Sequence, residues 1–132
     1  MASRSLDDLA PPVKGAALRF LDAASIEGLD VLIYCTLRTT MEQAGLYAAG
    51  RTSKGSILTN AMPGMSLHNP DSEGKAWAFD AVPMVAGRCM FNDEALILKM
   101  GAIGERAGLE WSGRWPGRLR ERVHFQIKKG QI

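Results

Sequence analysis

The chain has 132 residues with 46% apolar and 23% charged side chains, the make-up of one ordinary soluble domain with a core of its own. Its net charge of +2 is too small to point to nucleic acid, and no apolar run approaches the roughly 20 residues that cross a membrane. The two cysteines, Cys35 and Cys89, cannot make a disulfide framework, and Cys35, inside an apolar run, reads as a buried thiol.

Pro11-Pro12 reads as the end of a loose N-terminal segment that lacks a secretory signal. Val13, Ala17, Leu21 and Ala24, with Phe20 beside them, then follow one helical face until Gly28. Val31 to Thr36 is a short apolar run with β-branched and aromatic members, a buried strand. A helix is expected over Met41 to Ala49, with Thr40-x-x-Gln43 in the form of a capping box. Arg51 to Pro70, rich in Gly, Ser, Thr, Asn and Pro, reads as a long loop of the kind that carries function. Trp77 to Val82 reads as a strand, Met84 to Met90 as a hairpin turning at Ala86-Gly87. Asn92 is placed to cap a helix with the inner stripe Leu96, Met100, Ile103 and Ala107, ended by Gly108. Val123 to Ile127 is the last strand. This order predicts an α+β domain over 1–132, a small antiparallel sheet with helices packed to one side.

The only two histidines, His68 in the long loop and His124 in the last strand, join Asp80 at the end of the second strand as the residues able to do chemistry. Two neutral imidazoles and a carboxylate suit zinc and leave a fourth position for water. Each also has a bland reading. His68 is equally a solvated loop residue, Asp80 a turn cap, and Glu121 a surface partner of Arg120 or Arg122. No H-E-x-x-H is present, so spacing alone leaves the choice open. Residues three apart on a strand face opposite sides, so Glu121 can join His124 only if the chain bends before Val123. Arg114, Arg118, Arg120, Arg122, Lys128 and Lys129 crowd the last twenty residues, either a solvated tail or an attraction to an anionic envelope.

At these motifs the sequence resembles the zinc D-Ala-D-Ala carboxypeptidases, and more closely the phage L-alanyl-D-glutamate endopeptidases that act as endolysins. The family's Ser-x-His loop, Ala-x-Asp strand end and acid-x-x-His strand appear as Ser66-Leu-His68, Ala78-Phe-Asp80 and Glu121-Arg-Val-His124. Arg38 to Thr52 is similar to the family's Arg-bearing strand end and the helix after it, and Gly108-Leu-Glu-Trp111 to the segment before the last strand. The resemblance implies zinc at the sheet on His68, Asp80 and His124, with Glu121 as general base. It implies Arg38 steadying charge on the attacked carbonyl or holding a substrate carboxylate, Ser66 bonding substrate or orienting a ligand, and Gln43 beside the substrate unless it serves the capping box. Eleven residues separate His68 from Asp80 where the family usually has six, an insertion expected to lengthen the loop without displacing either ligand. Ala76 stands where the family usually has Gly, and Glu121 where the endolysin branch has Asp. The implied activity is hydrolysis of the L-Ala–D-Glu bond in peptidoglycan. A D-Ala-D-Ala carboxypeptidase and a non-catalytic wall-binding or phage structural module are the alternatives. A monomer without a wall-binding domain is expected, made in the host cytoplasm and reaching the periplasmic wall once the membrane is permeabilised.

Overall fold

The computed structural model describes residues 2–52, 66–116 and 121–127. Helix α1 spans Pro11–Ile26, strand β1 Asp30–Cys35, helix α2 Thr40–Ala48, and strands β2 and β3 Ala78–Val85 and Arg88–Cys89. Helix α3 spans Glu94–Arg106, strand β4 Glu110–Trp111 and strand β5 His124–Gln126. All strand pairings are antiparallel, in the order β1-β2-β5-β4 with β3 paired to the far end of β2. The chain is therefore the α+β domain expected. No helix among the described residues is long and apolar enough to cross a membrane.

The N-terminal segment is stitched down rather than loose. Thr36 N–H donates to Ser3 O (2.7 Å), Ala10 N–H to Ala76 O and Ala76 N–H to Asp8 O (both 2.8 Å). Pro11 and Pro12 open α1, where a missing N–H costs nothing because the first turn has no carbonyl to bond. Val13, Ala16, Ala17, Phe20 and Ala24 face the core, and Gly28 adopts the positive φ that ends the helix turn.

Along β2 the side chains alternate. Phe79 and Ala81 enter the core with α1 and α3, and Phe79 stacks on its register partner Phe125 with ring centroids 5.5 Å apart. Phe20 of α1 closes this group, 4.9 Å from Phe125. Each such buried ring contributes roughly 1.5–3 kcal/mol. On α3, Gly101 and Gly104 are the price of closeness: a Cβ at either would collide with the Trp111 or Phe125 ring.

Several boundaries differ from the sequence reading for local reasons. The capping box of α2 is Thr39 with Glu42, each side chain bonded to the other's backbone N–H (3.0 and 2.8 Å), not Thr40 with Gln43. Asp93, not Asn92, caps α3 through Leu96 N–H (3.2 Å), and Ile97 rather than Leu96 heads its buried stripe. The hairpin does turn at Ala86-Gly87, both at positive φ, the backbone that two-residue turns require. Strand β4 is an addition. Of the predicted loop Arg51–Pro70, residues 53–65 lie outside the described residues, as do Arg118, Arg120, Lys128 and Lys129.

Candidate metal centre

Because Phe79 and Ala81 turn into the core, Asp80 points to the opposite, open face of the sheet. His124 is its direct partner across β2 and β5 and so shares that face. On the other side, β1 carries a bulge between Ile33 and Cys35, which sets Cys35 opposite Asp80 instead of sending it into the core.

His68 reaches the same point from a pinned loop. His68 O accepts from Arg38 N–H (2.7 Å), Leu67 O from Trp77 N–H (2.8 Å), and Asn69 donates its amide to Arg38 O and Thr39 O (2.8 and 3.2 Å). The Ser66 hydroxyl accepts from His68 N–H (3.1 Å), so Ser66 shapes the ligand loop. The insertion after it closes on Asp71, whose carboxylate takes Glu73 and Lys75 N–H (both 2.9 Å) and the Trp77 indole N–H (2.7 Å). A turn folded on one carboxylate lengthens the connection and leaves His68 and Asp80 together.

Three donor atoms converge. His68 Nε2 lies 3.1 Å from Asp80 Oδ1 and 3.2 Å from His124 Nδ1, and the third edge, His124 Nδ1 to Asp80 Oδ1, is 3.4 Å. A tetrahedral ion about 2.0–2.1 Å from each donor needs donors about 3.3 Å apart, so the triangle fits zinc. His68 Nδ1 bonds Thr36 O (2.8 Å), which only accepts; Nδ1 therefore carries a proton, and Nε2 is the nitrogen left to offer a lone pair to an ion in the triangle. Cys35, His68 and Asp80 also lie within reach of one ion. The thiol, however, approaches His68 at Nδ1 (3.7 Å), the nitrogen already held by Thr36, so the set with His124 is the better cradle.

Burial opposes a charge on His68, but Asp80's charge and hydrogen bond outweigh it and push His68 up to about 10. Burial likewise opposes ionisation of Asp80, yet the charge on His68 facing it holds its carboxyl well below the usual carboxylate range. The triangle thus holds a carboxylate facing a proton that a metal would replace.

The remaining predicted residues differ in what they touch. Arg38 N–H groups approach Asp80 Oδ2 (3.8 Å) and Cys35 Sγ (3.6 Å) and donate to Gln43 Oε1 (2.8 Å). Gln43 is fully buried and holds Arg38 through its side-chain oxygen. Glu121 precedes β5 in a turn, as the spacing required, with 43% of its side chain exposed and Oε2 3.6 Å from His124 Nδ1. That turn is fixed by Ser112, whose hydroxyl lies 2.6 Å from Glu121 O and 3.0 Å from His124 O, and by the Trp111 indole donating to Arg122 O (2.8 Å). Ser112 escaped the sequence reading, and Cys35, the buried thiol expected, was not placed beside the site, since neither a 3-10 turn nor a bulge announces itself in residue order.

No family model matches the chain. Over 128 aligned residues it is 34% identical to the peptidoglycan L-alanyl-D-glutamate endopeptidase CwlK of Bacillus subtilis (strain 168), covering 91% of this chain and 74% of that protein. The chain belongs to the L-alanyl-D-glutamate endopeptidase branch of the zinc D-Ala-D-Ala carboxypeptidase family. It is thus a member of a family of peptidoglycan peptidases. It is also 30% identical to the L-alanyl-D-glutamate peptidase of Listeria phage A118, covering 95% of this chain but 41% of the phage protein. The fold is shared with the L-Ala D-Glu endopeptidase ChiX of Serratia marcescens (TM-score 0.65, 20% identity, 97% of this chain and 89% of that one). A Zn(II) complex of the vancomycin-resistance D,D-pentapeptidase VanY, from a VanB-type cassette, has the same fold (TM-score 0.61, 14% identity, 90% and 72%).

Proposed function

We propose that this chain is a zinc peptidase that hydrolyses the L-Ala–D-Glu bond of peptidoglycan stem peptides. The observation that carries the reading is the triangle of His68 Nε2, Asp80 Oδ1 and His124 Nδ1, with the Glu121 carboxylate beside it. The two relatives named for this bond support the choice of substrate. His68, Asp80 and His124 would hold the ion. Zinc bound there would polarise the scissile carbonyl and make a water nucleophilic near neutral pH.

The chain's own residues do the rest. Glu121, half open to solvent yet within reach of the site, takes the proton of the attacking water and returns it to the departing D-Glu amine. Arg38, held by Gln43, balances the outer oxygen of Asp80 and presents its remaining N–H groups to charge growing on the carbonyl or to a substrate carboxylate. Ser66 fixes the His68 loop. The substrate is the peptidoglycan of the cell wall.

Digestion of purified muropeptides is the test. New N-terminal D-Glu ends that appear with zinc and vanish with a chelator are expected. Release of free D-alanine would instead make the chain a D,D-carboxypeptidase, and no cleavage at all with zinc bound would reduce it to a wall-binding module.

A further inference from the structure

His124 meets the triangle through Nδ1, so its other nitrogen, Nε2, must carry the ring proton, and the structure shows a chain of groups able to enforce this. His124 Nε2 lies 2.8 Å from Gln126 Oε1. Gln126 is the next residue of β5 on the same face and is buried. Its amide nitrogen donates to Glu110 Oε1 at 2.7 Å, and Glu110 is its register partner on β4. The second oxygen of Glu110 accepts the indole N–H of Trp115 (3.3 Å).

Each link dictates the next. A carboxylate only accepts, so Gln126 must show Glu110 its NH2 group. Gln126 must then show His124 its carbonyl oxygen, which also only accepts. The proton therefore sits on Nε2, and the Nδ1 lone pair turns to Asp80 and His68. The orientation is set from outside the triangle, by one carboxylate on a two-residue strand.

We infer that Glu110, acting through Gln126, is a positioning residue that locks His124 in its ligand tautomer, with Trp115 holding the far end. The inference rests on the metal reading and gives β4 a task beyond closing the sheet edge. The polarity of the chain makes a sharp substitution available. In Glu110→Gln the shape is kept, but Trp115 N–H claims the new amide oxygen. The new NH2 then faces Gln126, whose amide must turn over and offer NH2 to His124. Nε2 becomes an acceptor and the proton moves to Nδ1, the wrong nitrogen for the metal. In the exchange variant Glu110→Gln/Gln126→Glu the order is restored: Glu at 126 accepts from His124 and from the amide at 110, which accepts from Trp115.

The experiment uses the full chain in three forms: wild type, Glu110→Gln and the exchange variant. The position of the His124 ring proton is read by long-range proton–nitrogen correlation NMR on metal-free protein, and zinc affinity by competition with a chromophoric chelator. Expected are an Nε2 proton in wild type, loss of that tautomer in Glu110→Gln with zinc bound about 10–100-fold more weakly, and recovery of both in the exchange variant. Should Glu110→Gln not fold, Gln126→Met, which removes the acceptor and keeps the length, is expected to weaken zinc by a similar factor. A Glu110→Gln protein with its proton still on Nε2, unaltered zinc affinity in Gln126→Met, or an exchange variant as weak as the single one overturns the inference. A wild-type chain that takes up no zinc sinks the metal reading instead, while the proton position still decides this one.

Discussion

Asp80 faces two partners at once, Oδ1 toward the two imidazoles and Oδ2 toward Arg38. Its charge is what holds a proton on His68 against the cost of burial. Because His68 lies up near 10 when folded and near 6.5 when unfolded, its charge stabilises the metal-free fold fully below about pH 6.5, and that contribution is lost as pH climbs toward about 10. Zinc needs the Nε2 lone pair and must displace this proton, so its apparent affinity should rise roughly tenfold per pH unit between about pH 6 and 8, measured by chelator competition at each pH. A flat profile would mean that His68 enters the site already neutral. The proposed roles can be separated by substitution. His68→Ala and His124→Ala are expected to lose zinc, whereas Glu121→Ala should keep it and lose turnover by about 10²–10⁴-fold, read by metal analysis and muropeptide cleavage on the same samples. A Glu121→Ala protein that cannot hold metal would make Glu121 a ligand. At this scale the sequence announces the chemistry of its two histidines and nearby acids, but not their convergence, which depends on which residue of β2 faces which of β5. Gln126 was within reach of sequence reasoning, since two residues after His124 on a strand means the same face.

Register turns the core into the scaffold of the site. Phe79 pairs with Phe125 on the helix side while Asp80 pairs with His124 on the open side, so anything that moves Phe125 moves His124. Helix α3 approaches β5 closely enough that a Cβ at Gly104 would enter the Phe125 ring. Gly104→Ala should therefore destabilise by about 1–3 kcal/mol through overpacking, despite alanine's better helix propensity, as read by urea unfolding. An unchanged midpoint would show that Phe125 has room to yield. The long elements were legible because their patterns are long: the α1 stripe, the Gly28 stop and the apolar run of β2 all follow from residue order. What escaped was short or relational. Strand β4 has two residues, too few for a period, and the β1 bulge depends on a partner strand. Thr39 and Thr40 offer two capping registers with acceptable partners at Glu42 and Gln43; the structure uses the first, because Gln43 is drawn inward to Arg38.

Across the whole molecule, the three donors come from separate parts of the chain, the His68 loop, β2 and β5, with 55 residues between the two histidines. An ion shared among them would be a cross-link that exists only in the folded state, because the unfolded chain holds no such triangle. Binding should then raise stability by about 2.7 kcal/mol when free zinc stands at a hundred times its Kd. For a chain of this size that is a rise in Tm on the order of 10 °C. Chelation should reverse it. The comparison that makes the measurement specific is His124→Ala, which keeps His68 and Asp80 but opens the triangle, and whose Tm should not respond to zinc. A response of equal size in that variant would place the stabilising ion elsewhere, with the set of Cys35, His68 and Asp80 as the first place to look.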